Sequence, residues 1–187
     1  MRRWRTLIPA AVLIVAATAV PIIGSASAGD DHSLTAVAAR ATARFHNLDA
    51  AKTAGWNTEV IDTAGLSCIA DPVAGGMGVH WANVSLLGDA TADPERPEAL
   101  VYAPNADGQP KLAALEYIIF QQPWLDAHPV PQGAPPPPPP SLFGRDFALT
   151  PDPNRFGLPA FYSLHVWIWS PNPSGLFQPW NPRVHCP

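Results

Sequence analysis

The sequence predicts an exported α+β protein in which N-terminal helices pack on an antiparallel β-sheet or small open barrel, closed by one disulfide. Three observations predict it. An alanine-rich, helix-forming stretch comes first, and short apolar runs broken by Gly, Pro, Asn and Asp follow from Gly65 onward. The only two cysteines, Cys68 and Cys186, stand in a chain that begins like an exported one.

That beginning is a basic stretch with Arg2, Arg3 and Arg5, an apolar run from Leu7 to Ile23, and the small residues Ala26, Ser27 and Ala28. It reads as a secretory signal peptide over 1–28. The rival is an uncleaved anchor, since the run is almost long enough to span a bilayer; Pro9, Pro21 and the small-residue end argue against it. Cleavage after Ala28 leaves 159 of the 187 residues, 29–187, which is one domain's worth. The expected location is secreted or extracytoplasmic, with no stable membrane insertion after cleavage. Removing the three leader arginines takes the formal charge from −4 to −7. No Lys/Arg cluster survives, so nucleic acid and anionic membrane surfaces are not expected as partners.

The first helix is expected from Ser33 to about His46, with Ser33 as N-cap and Leu34, Val37, Ala41 and Phe45 as the buried stripe. A second should run from Leu48 to Ala54. Asn47 would cap it, Asp49 would suit its N-terminal dipole, and Gly55 would take the left-handed position just past its end. Strands are expected near 66–70, 77–84, 98–103, 111–120 and 161–169. The third and fourth form the best hairpin, because residues 104–110 supply Pro, Asn, Asp and Gly to the turn. A turn symmetric about Asp107 sets Glu98 directly opposite Glu116. A slip of one residue would put them on opposite faces.

Residues 129–140 are proline-rich and end in six consecutive prolines, Pro135 to Pro140. As polyproline II those six span about 19 Å. The 47 residues that follow are too few for an independent core, so the segment reads as a stiff surface excursion within one domain. Docking of a proline-binding partner is an alternative. Oxidising surroundings pair Cys68 with Cys186, and closing so long a loop is worth about 4–5 kcal/mol in the chain-entropy model.

Four residues stand out chemically: His80, Glu98, Glu116 and His165. Each lies on a short apolar run that reads as a strand, where an unpaired charge costs several kcal/mol unless something neutralises it. Imidazole nitrogen with carboxylate oxygen suits a divalent transition metal, Zn, Mn, Fe or Cu, and ligands on separate strands can converge. Here a metal would act as Lewis acid or redox centre, with Tyr117 or Asn83 assisting. The alternatives stay open. Either histidine can be an ordinary hydrogen-bonded core residue, and Glu98 a solvated residue at a strand start. Glu116 can pair with Arg145, Arg155 or Arg183, or share a proton with Glu98. No His-x-x-x-His spacing is present.

A second function class comes from the aromatic C-terminal block. Trp167, Trp169 and Trp180, if exposed, would make a non-catalytic extracellular module that stacks on a glycan or an apolar ligand. If buried, they belong to a core strand and a stapled tail. No Gly-x-Ser-x-Gly elbow and no phosphate-binding glycine loop opening a helix is present, so neither nucleophilic catalysis of that type nor a nucleotide cofactor is expected.

Several runs together are similar to a family of secreted bacterial proteins of unknown function. They are Gly76 to Asn83 (GMGVHWAN), Pro97 to Tyr102 (PEALVY), Leu115-Glu116-Tyr117, Ser141 to Gly144 (SLFG), Leu164 to Trp169 (LHVWIW) and Trp180 to Cys186 (WNPRVHC). The resemblance implies export and a common fold, and brings no activity with it.

Overall fold

The computed structural model describes residues 28–105 and 107–186; the expected signal peptide lies outside them except for Ala28. Helix α1 runs Ala28–Thr42 and passes into a 3-10 turn, Ala43–His46. It therefore starts ahead of Ser33, which lies inside the helix rather than capping it. Its inward face is rotated from the expected stripe: Ala38, Thr42 and Phe45 are buried, whereas Leu34, Val37 and Ala41 are half-buried. Thr42 can be buried because its hydroxyl donates to the Ala38 carbonyl at 2.8 Å and accepts from the Trp169 indole at 3.2 Å. Helix α2, Leu48–Thr53, is capped as the sequence predicts. The Asn47 side chain accepts from the backbone N–H of Asp49 and Ala50, and Gly55 follows at φ +112°.

The strands are β1 (Thr58–Glu59), β2 (Cys68–Asp71), β3 (Gly75–Ala82), β4 (Ala99–Pro104), β5 (Pro110–Phe120), β6 (Ser141–Leu142), β7 (Arg145–Asp146), β8 (Ala148–Thr150) and β9 (Phe161–Val166). Among the described residues, seven form one antiparallel sheet in the order β1-β3-β4-β5-β9-β8, with β2 also on β3; β6 and β7 form a separate hairpin. The sheet is open. Helix α3, Gln121–Ala127, follows β5 directly, its Pro123 in the first turn where the missing N–H costs nothing. The Trp124 indole donates to the Pro138 carbonyl at 3.0 Å, which ties the polyproline segment back to α3.

One sheet face carries the larger core. Leu100, Tyr102, Leu115, Tyr117, Leu164 and Val166 pack there with Phe45, Ala51 and Trp56 from the helical side. Two long-range bonds hold the layers in place: Tyr102 donates to the Phe45 carbonyl at 2.6 Å, and Trp56 to the Pro97 carbonyl at 2.9 Å. On the opposite face Val101, Ala103, Ala113 and Ala114 pack with Trp167 and Val184. Disulfide Cys68–Cys186 pins the C-terminal tail to β2. Gly76 permits the tail's close approach, since a Cβ there would come within 2.8 Å of the Val184 side chain.

The β4–β5 hairpin starts in the expected register and then changes it. Pro104 faces Pro110 and Tyr102 faces Leu112, as a turn symmetric about Asp107 requires. Beyond Tyr102 the register shifts, Val101 facing Ala114 and Ala99 facing Glu116, so Ala113 is the extra residue of a β-bulge. Its carbonyl accepts the backbone N–H groups of Trp169 and Ser170 at 3.1 and 3.0 Å. The chain leaving β9 thus takes up the group that the bulge releases.

Candidate metal centre

His80, Glu116 and His165 meet on the sheet face opposite the helices. Pairing determines this: Glu116 faces His165 across β5 and β9, Ala99 faces Glu116 across β4 and β5, and His80 faces Val101 across β3 and β4. Directly opposed residues share a face and alternate residues return to it. The three are buried, at 4%, 7% and 3% exposure, and one ligand atom from each lies within 4.8 Å of the others.

His80 Nε2 pairs with Glu116 Oε2 at 3.0 Å. His80 Nδ1 and both nitrogens of His165 have no hydrogen-bond partner among the protein groups. A buried, unsatisfied polar group costs about 1–3 kcal/mol, and each neutral imidazole has one lone-pair nitrogen to offer an ion. A group that accepts the nitrogen lone pairs removes that cost. The rings lie at 75° with centroids 5.7 Å apart, and His165 also lies against Trp167 at 4.7 Å.

The electrostatics suit a cation. Burial pushes the Glu116 carboxyl up, but His80, then His165 and Ser163, outweigh it and hold the group at about 2. Burial lowers His165 to about 3 against the pull of Glu116, with His80 lowering it further. A buried carboxylate beside a neutral imidazole is a donor set that needs no proton removed from either member. Two imidazoles and a carboxylate are hard-to-borderline donors, and they can hold a divalent transition metal with coordination positions to spare. In a tetrahedral site donor atoms lie about 3.4 Å apart, somewhat closer than the 4.8 Å within which these three lie.

Glu98 does not join them. Because of the Ala113 bulge Glu116 faces Ala99, and Glu98 lies on the other side of the sheet. There Glu98 Oε2 accepts the Ile118 N–H at 2.8 Å, satisfying a β5 donor just past the start of β4. It is buried at 3% exposure rather than solvated. Burial raises its carboxyl to about 8; Asp89 and Asp93 add to this and the Ile118 N–H opposes it. The suggested helpers are elsewhere too. Tyr117 faces the helical core and donates to the Pro94 carbonyl, while Asn83 Oδ1 accepts from the Ser85 backbone and hydroxyl in the turn after β3. Of the three arginines considered for Glu116, Arg155 pairs with Asp62 instead, at 2.6 Å.

The tryptophans do not form an exposed platform. Trp167 is 3% exposed and donates to the Gln178 carbonyl at 2.6 Å. Trp169 is anchored on Thr42 and lies edge-on to His46 at 4.5 Å. Trp180 lines a cavity of about 340 Å³ that opens beside His80 and Glu116. Its walls include Met77, Ile118, Phe120, Phe156, Leu158 and Phe161. Ser163, also at its wall, was readable in advance, because strand alternation places it on the face of His165. Met77 was not, since a register shift against β2 leaves it unpaired between Gly76 and Gly78.

No protein-family model, curated protein or solved structure matches the chain. No helix among the described residues is long and apolar enough to cross a membrane.

Proposed function

We propose that this is an exported metalloprotein whose ion is held by His80, Glu116 and His165. The observation that carries the reading is two buried imidazoles, one with neither nitrogen hydrogen-bonded to protein, whose ligand atoms cluster within 4.8 Å of one another and of a buried carboxylate. A structural polar network ordinarily supplies buried imidazoles with partners, and His165 finds none among the protein groups. Three protein ligands leave room for a water or substrate on the ion, the arrangement of catalytic rather than closed structural zinc sites. Two histidines and one carboxylate equally suit a non-haem iron centre, and Mn or Cu belongs to the same set. The ion would supply Lewis-acid or redox chemistry. Glu116 offsets part of its charge, and His165 on β9 and His80 on β3 hold it from either side of Glu116 on β5. The signal sequence and Cys68–Cys186 support export, in line with the resemblance to secreted bacterial proteins.

Elemental analysis tests the reading on protein purified from an exporting host, with neither affinity tag nor chelator. One equivalent of a transition metal, lost in a folded Glu116→Ala variant, is the expected result. Protein that takes up no metal after reconstitution rejects it.

A further inference from the structure

The cavity beside the metal centre has a composition of its own. It combines apolar walls with a single chemically active patch, formed by His80 and Glu116. The other large polar residues at its wall are engaged. Asn154 donates to the carbonyls of Pro151 and Leu158 and accepts the Phe156 N–H. Arg155 is bound to Asp62, and its carbonyl accepts the Thr63 N–H at 2.8 Å. Asp62 in turn accepts the N–H groups of Ala64 and Leu66, so the 151–160 segment is tied across the cavity to the loop after β1.

We propose that this cavity takes a small, uncharged and largely apolar molecule that carries one nitrogen or oxygen donor, with that donor directed at the metal held by His80, Glu116 and His165. The inference rests on the metal reading and adds the class of ligand. The walls disfavour charge: Ile118, Phe120, Phe161 and Leu158 offer nothing to a second ionic group, and Arg155, a cation at the wall, is already paired with Asp62. A sugar is disfavoured on the same ground, since most of its hydroxyls would lose water against an apolar wall. Size agrees, because about 340 Å³ lies at the lower end of small-molecule pockets, about 300–1,000 Å³. Met77 adds an adaptable wall beside the ion, its thioether able to follow ligands of different shape.

The test compares two probes that share one donor and differ in apolar surface, imidazole and 4-phenylimidazole, by calorimetry on zinc-loaded and metal-free protein. The zinc-loaded protein is expected to bind 4-phenylimidazole at least ten-fold more tightly than imidazole, and metal removal to abolish most of that affinity. Equal affinity of the two probes for protein that holds stoichiometric zinc overturns the inference and leaves the metal reading standing. Protein that takes up none of zinc, manganese, iron or copper, whatever it does with the probes, overturns both. Binding of 4-phenylimidazole that is unchanged by metal removal also overturns the inference, since the donor then does not reach the ion.

Discussion

Glu116 and His165 face each other directly across β5 and β9, and His80 reaches the same carboxylate from β3, beyond the intervening β4. The site is therefore built on the middle of the sheet rather than on loops. Its geometry follows from strand register, and a side-chain change that leaves the register intact should alter binding without altering the fold.

Glu116→Gln and Glu98→Gln separate the two carboxylates. Metal content should fall to below about a tenth of an equivalent in the first, because the buried anion is gone, and stay at about one equivalent in the second. Elemental analysis with circular dichroism as a folding control checks both. Equal loss in the two variants would mean that Glu98 reaches the ion.

Glu98 should give the metal-free protein an unusual pH dependence. Its folded pKa, about 8, lies above the ordinary 4.5, so the folded state holds the proton more tightly. Its contribution is full below about pH 4.5 and declines as pH rises toward 8, by up to about 1.4 kcal/mol per pH unit. His165 runs the other way: its lowered pKa costs stability as pH falls below 6.5. Denaturation of wild type and Glu98→Gln from pH 5 to 8 isolates the first effect, since His165 is common to both. Parallel stability curves would contradict the assignment.

Gly78→Ala should destabilise the protein by on the order of 1–3 kcal/mol. Gly78 has φ +103°, and an added Cβ would lie 2.7 Å from the Tyr102 carbonyl oxygen. His80 is two residues away on β3, so the loss of stability should be accompanied by weaker metal binding. Urea denaturation and a zinc titration measure the two effects.

Asp62→Asn should loosen the cavity's cover. Hydrogen bonds from Arg155 and from the Leu66 and Ala64 N–H groups hold the Asp62 carboxyl below its usual range. What it contributes is present above about pH 3.8 and is lost as pH falls through the depressed folded value. At neutral pH the variant should exchange the amides of Thr63, Ala64 and Leu66 several-fold faster, and wild type should approach that behaviour in acid. Hydrogen exchange followed by mass spectrometry reads both.

Reducing Cys68–Cys186 should lower stability by about 2–5 kcal/mol and free the tail first. Val184, Asn181 and Gly76 lose their alignment when the tail detaches, because backbone bonds between Gly76 and residues 181 and 184 hold it against β3. Thermal melts with and without reductant provide the measurement, and unchanged melting in fully reduced protein would assign the tail's hold to packing alone.

Local chemistry made α2, the β4–β5 turn and the disulfide legible. Asn47 is a capping residue, Gly55 takes a left-handed conformation, Asn105 and Gly108 make a turn, and two cysteines can pair in one way. His80, Glu116 and His165 were legible for a related reason, since polar groups on apolar strands require compensation. Helix α3, two-residue β1 and the short β6–β7 hairpin were not, because such brief elements carry too little periodicity to separate from loop. The face of Glu98 was decided by tertiary structure. Ala113 bulges where its carbonyl meets the N–H groups of Trp169 and Ser170, more than fifty positions along the chain. Trp167 and Trp169 were likewise placed by distant partners, Gln178 and Thr42. By itself the sequence determined the longer helical and strand segments and which residues demand a partner, since those follow from local propensity and burial cost. Only the fold decided which of those residues meet, because strand parity is a non-local property and one bulge inverts it.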